Sequence, residues 1–573
     1  MKITKIHIEN YKSIKKSDIS PSRKLNVFIG ENGVGKSNIF DAISWLLGPT
    51  YPTFNATTEQ DHYLGVEANK ILIRLEFDSG ENLELNECKE IDGQVRQGLF
   101  YCDQKWNCRR EVREKFCSAY VGVERQIVDY LPSNRWSLLG RILLDVNKKF
   151  LEQRTETGEQ KSEQLKAKLD TIRDDLLFSV VDGEGNNIMQ KFASILQEES
   201  ANQMNKKTED FHLNFNLYDP WNLYKTLQIL VNEPDIGVTF QASQLGMGAQ
   251  AAITIAILRA YSEIKLGGGT PIFIDEPELF LHPQAQRNFY KILRKLAEEN
   301  DIQIFYITHS PYLLSVEHFY ESFVVRKTKE RGTYIRDAKI DRFVEDLKIR
   351  KEIDSNEATL RLHYKNAYEQ TADSLSSLEA FFAKKVILVE GGSEALILPY
   401  FFEKIHFDYI KEKITIVKCG GKNELDRFYR LYSEFGIPCY VIFDGDKHYG
   451  EDLEESIRTN NNEMFDILGE TTIKDLPDGK VHENYLGFEY DFNYALKLAG
   501  FEDVYNEGNP ERSPKGLGLY LKVKGQVENS TVKIPDWIPQ IRESIINLPE
   551  EVDSVLKQRI SEEETVEYGD LPF

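Results

Sequence analysis

Eight residues near the amino terminus have the composition and spacing of a phosphate-binding loop. The segment from Gly30 to Ser37 reads GENGVGKS, follows the apolar run LNVFI and precedes a helix-like stretch. Glycines let backbone N–H groups turn toward phosphate oxygens, and the start of a helix presents its positive end to the same anion. The sequence therefore predicts an ATP site in which Lys36 contacts the β- and γ-phosphates and Ser37 binds Mg²⁺. The other loop residues expected around the phosphates are Gly30, Asn32, Gly33 and Gly35.

Two later apolar runs end in residues that suit ATP hydrolysis. The run PIFI at 271–274 leads to Asp275 and Glu276, and the run IFYI at 304–307 leads to His309. This pattern is typical of a Walker B strand, where Asp275 holds Mg²⁺ and Glu276 orients or deprotonates the attacking water. His309 is expected near the γ-phosphate. An apolar strand ending in acids is common, so the prediction depends on the three elements occurring together.

The segment LGMGAQ at 245–250 resembles the signature loop of ABC-type ATPases. Gly246 stands where that family usually has serine, yet the N–H groups of Gly246 and Gly248 at a helix start can still bind phosphate. In ABC-type heads such a loop reaches the nucleotide bound by a second copy. The resemblance therefore implies a homodimer or a higher even assembly.

A second group of acids follows two buried runs in the other half of the chain. VILVEGGSE at 386–394 carries Glu390 and Glu394, and CYVIFDGD at 439–446 carries Asp444 and Asp446. Side chains repeat every second residue in an extended chain, so Asp444 and Asp446 are expected to project the same way. The carboxyl ends of neighbouring parallel strands share one crevice. Oxygen ligands suit Mg²⁺ or Mn²⁺, and an acidic solvated edge is the alternative.

These acids resemble the Toprim domain, and the whole chain resembles the OLD (overcoming lysogenization defect) family, an SMC-like ABC ATPase fused to a Toprim nuclease. DEPE at 275–278, LHP at 281–283 and THSP at 308–311 belong to the same resemblance. It implies a two-metal site for phosphodiester hydrolysis. The carboxylates expected to bind metal are Glu390, Glu394, Asp444, Asp446 and Glu489.

The resemblance also implies roles for individual residues. Glu390 is the candidate for activating water or sharing a metal, and Lys515 for stabilising charge on the scissile phosphate. Glu489 is assigned by position as the third acid, with Asp491 and Glu483 as alternatives.

The landmarks divide an α/β chain into an ABC-type ATPase head with a helical dimerisation insertion, followed by a Toprim (Rossmann-like) domain. The first ATPase lobe is expected at 1–135 and the second at 231–345, separated by the helical insertion at 136–230. A helical linker at 346–382 leads to the Toprim domain and a carboxyl-terminal extension at 383–573.

Composition restricts the partners. The 573 residues carry 71 Lys and Arg against 93 Asp and Glu, a formal charge of −22. A protein that coats DNA depends on cations to displace counterions, so any DNA path must be local. Candidate basic patches lie at 105–110 and 326–329, although each is more often a solvated face. There is no apolar run of about 20 residues that would span a membrane, and a cytoplasmic location is expected.

Three functions remain open on the sequence. The favoured one is an ATP-regulated, metal-dependent DNA endonuclease of prokaryotic defence against phage or other foreign DNA, with a possible partner encoded nearby. The second is an SMC-like ATP-driven DNA clamp or repair factor whose Toprim domain binds without cutting. The third is a primase or topoisomerase, which the absence of a C-x-x-C zinc ribbon and of room for a nucleophilic tyrosine domain weakens.

Overall fold

The structure is a computed structural model. It describes residues 1–121, 138–172, 179–204, 229–246, 271–351 and 374–557, with gaps at 49, 103, 105–107, 117, 156–157, 234–236, 280, 300–301, 448–454, 471–475 and 531, together with residues 253, 256, 257, 359 and 368.

The first 351 residues contain a large sheet, a small hairpin and flanking helices. Their strands are β1 (Ile3–Tyr11), β2 (Ile14–Ile19), β3 (Leu25–Ile29), β4 (Leu72–Phe77), β5 (Asn82–Ile91), β6 (Gln94–Tyr101), β7 (Ala119–Val121), β8 (Leu230–Glu233), β9 (Val238–Gln241), β10 (Ile272–Asp275), β11 (Ile304–Ile307), β12 (Ser322–Thr328) and β13 (Gly332–Asp337). Their helices are α1 (Lys36–Leu47), α2 (Arg110–Arg113), α3 (Leu138–Glu152), α4 (Lys161–Ile172), α5 (Ile188–Met204), α6 (Pro283–Glu299) and α7 (Ile340–Lys351).

The large sheet has the order β6-β5-β4-β1-β2-β13-β12-β3-β11-β10-β7. Strands β12, β3, β11, β10 and β7 are parallel neighbours, whereas the strands from β6 to β2 form an antiparallel wing. The carboxyl ends of β3, β10 and β11 therefore lie side by side. This is the edge at which ligands bind in parallel sheets.

Both faces of the parallel strands are covered, which explains their unbroken apolar sequences. On β3, Val27 packs into a core that includes Phe289 and Leu293 of α6. The neighbouring Phe28 points to the opposite face, where its ring lies 5.4 Å from that of Phe40 on α1. The sheet thus separates α1 from α6.

The carboxyl-terminal half contains a parallel sheet of order β15-β14-β16-β17, flanked by helices. Its strands are β14 (Lys385–Val389), β15 (Ile414–Lys418), β16 (Cys439–Asp444) and β17 (Tyr485–Phe488). Its helices are α8 (Leu375–Glu379), α9 (Gly392–Lys404), α10 (Lys422–Glu434), α11 (Glu455–Ile467), α12 (Phe492–Leu498), α13 (Leu517–Glu528) and α14 (Trp537–Asn547).

The two halves share one hydrophobic core. Phe319 and Phe343 of the ATPase side belong to the same buried cluster as Phe381 and Tyr432 of the Toprim side. Arg430 of α10, 1% exposed, hydrogen-bonds with Asp346 of α7 at 3.2 and 3.3 Å. The extension returns to the ATPase as well, because Glu551 accepts a hydrogen bond from the Tyr334 hydroxyl at 2.9 Å and pairs with Arg336.

The predicted helical insertion corresponds to α3, α4 and α5 where the structure describes it. Four apolar side chains on one stretch of α5 remain exposed: Ile188, Phe192, Ile195 and Leu196. In the described part of the chain, no helix is long and apolar enough to span a membrane.

Candidate active sites

The phosphate-binding loop connects β3 to α1 and packs closely against neighbouring strands. A Cβ atom on Gly35, whose φ is +102°, would lie 2.4 Å from the Thr333 hydroxyl oxygen, and one on Gly30 would lie 2.4 Å from the carbonyl oxygen of Val325. Thr333 also donates a hydrogen bond to the carbonyl of Val34 at 2.6 Å. The loop therefore requires glycine at both positions.

Lys36 is the first residue of α1 and is buried. Its ammonium donates hydrogen bonds to the carbonyls of Gly30 at 3.0 Å and Glu31 at 2.8 Å. Burial lowers the pKa of Lys36, against the opposing effect of the nearby acids. Asn32, Gly33 and Ser37 are exposed at the mouth of the loop, where a phosphate can reach them.

Asp275, Glu276 and His309 meet beside this loop because they follow adjacent strands. Burial and the neighbouring Glu276 raise the pKa of Asp275 to about 6, and Lys36 lowers it. The imidazole Nε2 of His309 lies 3.6 Å from a carboxylate oxygen of Glu276. Burial and Lys36 lower the pKa of His309, which favours the neutral imidazole.

Two further residues complete this crevice. Glu278 is 8% exposed and accepts a hydrogen bond from the His309 backbone N–H at 2.5 Å. Tyr120 of β7 donates to Asp275 at 3.5 Å. Glu278 is visible in the DEPE motif, whereas Tyr120 enters only through the pairing of β7 with β10.

The signature-like loop is described only in part. Gly246 is exposed after the hairpin β8–β9, and Gly248 lies outside the described residues. The roles of both glycines stay predictions.

Glu390 and Asp444 converge at the carboxyl ends of β14 and β16. The Asp444 N–H donates to Glu390 at 3.2 Å, and the Phe492 N–H donates to Asp444 at 2.9 Å. Burial raises the pKa of Glu390 to about 7, and Lys422 opposes that shift. Burial and Glu390 raise the pKa of Asp444 well above its ordinary value. Two acids this close remain ionised only beside a cation.

Glu394 shows how the site fits a divalent metal. It lies in the first turn of α9, is 5% exposed, and its Oε2 is buried without a hydrogen-bond partner among the described residues. In the ATPase half, Oδ1 of Asp275 is also buried and has no hydrogen-bond partner among the described residues. Buried carboxylate oxygens of this kind suit Mg²⁺ or Mn²⁺. Within the described ranges, however, no group of three or more His, Cys, Asp or Glu residues has the arrangement of a complete metal-binding set.

Asp446 is placed differently from the sequence expectation. Strand β16 ends at Asp444, and Asp446 has a left-handed backbone with φ of +58°, so the strand alternation does not continue to it. Its carboxylate bonds the ammonium of Lys422 at 2.5 Å. Lys422, 6% exposed at the first position of α10, was not among the predicted site residues. The motif GGK at 420–422, directly after a strand, was the available signal.

The three candidates for the further acid, Glu489, Asp491 and Glu483, have different surroundings, and the choice among them stays a prediction. Glu489 is 46% exposed and pairs with Lys447. Burial is the main cause of the raised pKa values of Glu394 and Asp444, and the nearby Asp491 adds to both. The Asp491 carboxylate accepts a hydrogen bond from the Tyr494 N–H at 2.6 Å. Glu483, the other alternative, is exposed.

Lys515 is exposed, but its loop lies against the crevice. The next residue, Gly516, donates its N–H to the Ser393 hydroxyl at 3.0 Å, one residue before Glu394. The backbone thus brings Lys515 to the rim, and its role there stays a prediction.

The proposed basic patch at 326–329 is partly an interdomain contact. Burial lowers the pKa of Arg326, and its guanidinium donates to the carbonyl of Glu550 at 3.5 Å. Residues 105–107 of the other patch lie outside the described part of the chain.

Comparison with known families identifies both halves. The AAA ATPase domain family matches residues 1–105 and 113–314. The TOPRIM domain of overcoming lysogenization defect protein-like proteins matches residues 381–446. The chain is therefore an AAA-type ATPase joined to a Toprim domain, which confirms the predicted fold class.

Relatives extend the match over most of the chain. The OLD nuclease of Thermus scotoductus is 27% identical over 464 residues, which cover 78% of this chain and 82% of the relative. The Old nuclease of Escherichia phage P2 is 26% identical over 577 residues and 92% of each chain. Endonuclease GajA of Bacillus cereus is 22% identical over 63% of this chain and 54% of its own. The chain belongs to the AAA ATPase domain family and is similar to the OLD nucleases over most of its length.

Proposed function

We propose that this chain is an ATP-binding and ATP-hydrolysing, divalent-metal-dependent DNA endonuclease that acts in prokaryotic defence against phage or other foreign DNA. The observation that carries the proposal is the crevice of the Toprim sheet, where Glu390, Glu394 and Asp444 converge and a buried Glu394 oxygen has no hydrogen-bond partner among the described residues. The names of the two OLD relatives and of GajA support the nuclease activity.

In the ATPase half, the groups proposed for hydrolysis follow neighbouring strands of the large sheet. The loop after β3 surrounds the phosphates with N–H groups, and Lys36 exchanges its backbone carbonyl partners for phosphate oxygens. Glu276, at the end of β10, orients the attacking water. Asp275 and Ser37 would hold Mg²⁺, which supplies charge neutralisation for the transferred phosphoryl group.

In the Toprim half, the acids would hold Mg²⁺ or Mn²⁺ through Glu390, Glu394, Asp444 and Asp491. Such ions polarise a phosphodiester and lower the pKa of water. Glu390, whose pKa burial raises to about 7 in the metal-free protein, is the candidate for accepting the proton of the attacking water or for sharing a metal. Lys422 holds Asp446, and Lys515 lies at the rim toward the scissile phosphate.

The direct test is cleavage of a supercoiled plasmid by the purified protein with Mg²⁺ or Mn²⁺. The proposal expects free DNA ends and no protein attached to them. Protein covalently joined to one end would indicate a topoisomerase. Binding without cleavage, with either metal and with or without ATP, would contradict the nuclease.

A DNA clamp whose Toprim domain binds without cutting is the second candidate. One observation favours it: the described residues contain no complete set of three metal ligands, and Lys422 already neutralises Asp446. Calorimetric titration with Mn²⁺ separates the candidates, because a clamp of this kind needs no stoichiometric metal at Glu390 and Asp444.

We further propose that the chain assembles as a homodimer or a higher even oligomer. The exposed apolar stripe on α5 supports this, because Ile188, Phe192 and Ile195 recur at helical spacing on one face and are 46%, 52% and 54% exposed. Apolar surface of this kind is typical of a helix that packs against another chain. The stripe would hold two copies together when no nucleotide joins the heads.

Sedimentation of the nucleotide-free protein tests the assembly. The wild type is expected as a dimer or larger at micromolar concentration, and Phe192→Glu as a smaller species. Ser194→Glu, on the same helix outside the stripe, is the matched control. A wild-type monomer without nucleotide would exclude the permanent dimer, and a monomer of Glu276→Gln with ATP would exclude the ATP sandwich.

A further inference from the structure

Three tyrosines form a row beside the Toprim crevice. The ring centroids of Tyr490 and Tyr494 lie 4.3 Å apart, and those of Tyr494 and Tyr505 lie 5.1 Å apart. All three side chains are only partly buried. The core of this segment is instead supplied by Phe488 and Phe492, which are 4% and 1% exposed. The tyrosine row is therefore surface that the fold does not need for its core.

The row is joined to the carboxylates by backbone hydrogen bonds. The Asp446 N–H donates to the Tyr490 carbonyl at 2.8 Å, and the Gly445 N–H donates to the Phe488 carbonyl at 2.7 Å. Asp491, between Tyr490 and α12, caps that helix by accepting from the Tyr494 N–H at 2.6 Å. The first two tyrosines thus have a fixed position next to the acids of the crevice.

Two lysines lie over the same rings. Lys447 is 5.4 Å from the centroid of Tyr490, and Lys497 is 5.5 Å from that of Tyr494 and 5.8 Å from that of Tyr505. Each ammonium also pairs with a solvent-exposed glutamate. Surface pairs of this kind contribute little, so either lysine can exchange its carboxylate for a phosphate.

A cavity of about 400 Å³ adjoins the row, lined by Tyr490 and Tyr494 with Trp537 on another side. Its size falls in the range of small-molecule sites, about 300 to 1,000 Å³. Tyrosine rings beside lysines are the combination with which proteins bind single-stranded nucleic acid, because every base has a face to stack and every linkage a phosphate. Stacking also provides affinity without positive charge, which suits a chain of net charge −22.

We propose that the row of Tyr490, Tyr494 and Tyr505, with Lys447 and Lys497, is a stacking site for unpaired DNA bases next to the scissile phosphate. The inference rests on the proposed nuclease function and adds a substrate class: DNA that is single-stranded, or unstacked at the cleavage position. Duplex DNA presents its base faces only after local opening.

The test measures binding of an oligonucleotide that contains 2-aminopurine, as a single strand and as a duplex, with Ca²⁺ in place of Mg²⁺ and the DNA checked for integrity. Wild-type protein is expected to bind the single strand more tightly and to quench the fluorescence of the unpaired base. Tyr494→Ala is expected to weaken single-strand binding about 10-fold and to remove the quenching. Tyr494→Phe keeps the ring and is expected to retain both.

Tyr520→Ala is the matched control. Tyr520 also has a tyrosine partner, Tyr400 at 5.8 Å, and a lysine over its ring, Lys524 at 5.9 Å, but it belongs to α13. Wild-type affinity and quenching in both Tyr490→Ala and Tyr494→Ala would overturn the inference. So would a Tyr520→Ala variant that loses as much as Tyr494→Ala.

The test of the stacking site can be distinguished from the test of nuclease activity. Plasmid cleavage by the wild type tests the proposed function, whereas the quenching assay involves no cleavage. Cleavage together with unchanged binding and quenching in both Tyr490→Ala and Tyr494→Ala would refute the stacking site alone. Quenching that depends on Tyr494 without any cleavage would support the stacking site and refute the nuclease.

Discussion

The two acidic crevices of this chain occupy the same position in two parallel sheets but are neutralised differently. In the ATPase crevice, Lys36 bonds only backbone carbonyls among the described residues, and a glycine loop presents N–H groups beside it. In the Toprim crevice, Lys422 already bonds Asp446, and Glu390 and Asp444 lie in contact. The first crevice is organised to receive an anion, and the second to receive a cation.

Buried carboxyl groups in both crevices have raised pKa values. The pKa of Asp275 rises to about 6, while that of Glu390 rises to about 7 and that of Asp444 rises well above its ordinary value. Burial is the first cause in all three. Neighbouring carboxylates add to burial in both crevices: Glu276 acts on Asp275, and Glu390 and Glu394 act on Asp444.

The largest expected effects come from replacing one residue in each crevice. Asp444→Ala removes a carboxylate proposed to hold metal, and we expect DNA cleavage to fall by about 1,000-fold or more, since a metal provides several kcal/mol of transition-state stabilisation. ATP binding should not change. Lys36→Ala should weaken ATP binding sharply, because it removes the ammonium expected to contact the β- and γ-phosphates.

Nucleotide binding and plasmid cleavage are measured on the same preparations. Asp466→Ala, an exposed acid of α11, is the control for Asp444→Ala and should cleave normally. Wild-type cleavage by Asp444→Ala would refute the assignment of the metal site.

The second effect tests which ATPase acid acts on water. Glu276→Gln should retain bound ATP while hydrolysis falls about 100-fold, because the carboxylate that orients water is lost. Glu278→Gln is the matched comparison. Its amide oxygen can still accept the His309 N–H that Glu278 binds in the structure, so its loss should be smaller. Single-turnover hydrolysis and nucleotide retention measure both variants, and equal rates for Glu276→Gln and wild type would show that Walker B is misassigned.

How far the sequence predicts these sites depends on how local each feature is. The phosphate loop and the acids at the ends of β10, β14 and β16 follow directly from short motifs after apolar runs. Asp446 departs from the expected alternation because its left-handed backbone ends the strand geometry. Lys422 belongs to the GGK motif after β15, but its contact with Asp446 depends on the packing of α10. The choice among Glu483, Glu489 and Asp491 likewise depends on the course of the chain around β17, which the motif alone does not specify.

The third prediction concerns how metal binding at the two sites depends on pH. A raised carboxyl pKa means that the folded, metal-free protein binds more protons than the unfolded chain between about pH 4.5 and pH 7, so this group's contribution to stability falls as pH rises. Metal must displace those protons. We expect Mn²⁺ affinity at the Toprim site to increase by at least about 10-fold per pH unit below pH 7, because both Glu390 and Asp444 must lose a proton before they bind metal.

Calorimetry between pH 5.5 and pH 8 measures this, together with the rise in Tm that Mn²⁺ produces. The Tm rise should be larger at pH 8 than at pH 6, and Asp444→Asn should reduce it. Binding of Mg²⁺ and ATP should also strengthen as pH rises through the pKa of Asp275, which is about 6. Equal Mn²⁺ affinity at pH 6 and pH 8 would contradict the proposed proton displacement at the Toprim site.

The smallest effect concerns a contact between the phosphate loop and the amino-terminal end of β15, at the end of the Toprim sheet opposite the acidic crevice. Lys413, just before β15, donates a hydrogen bond to the carboxylate of Glu31 in the phosphate loop at 2.8 Å, and this contact lowers the pKa of Glu31. The side chains are 51% and 40% exposed, so the pair should contribute less than about 1 kcal/mol to stability. Because Glu31 belongs to the loop that binds ATP, we expect Lys413→Ala to change the influence of ATP on cleavage by less than about 5-fold while cleavage without ATP stays the same. Lys411→Ala, which replaces an exposed lysine two residues earlier, should change neither the influence of ATP on cleavage nor cleavage without ATP.

Exchanging the charges in a Lys413→Glu, Glu31→Lys double variant should restore the wild-type response to ATP. If the double variant responds to ATP no more like the wild type than the two single variants do, this contact does not transmit the state of the ATPase to the Toprim crevice.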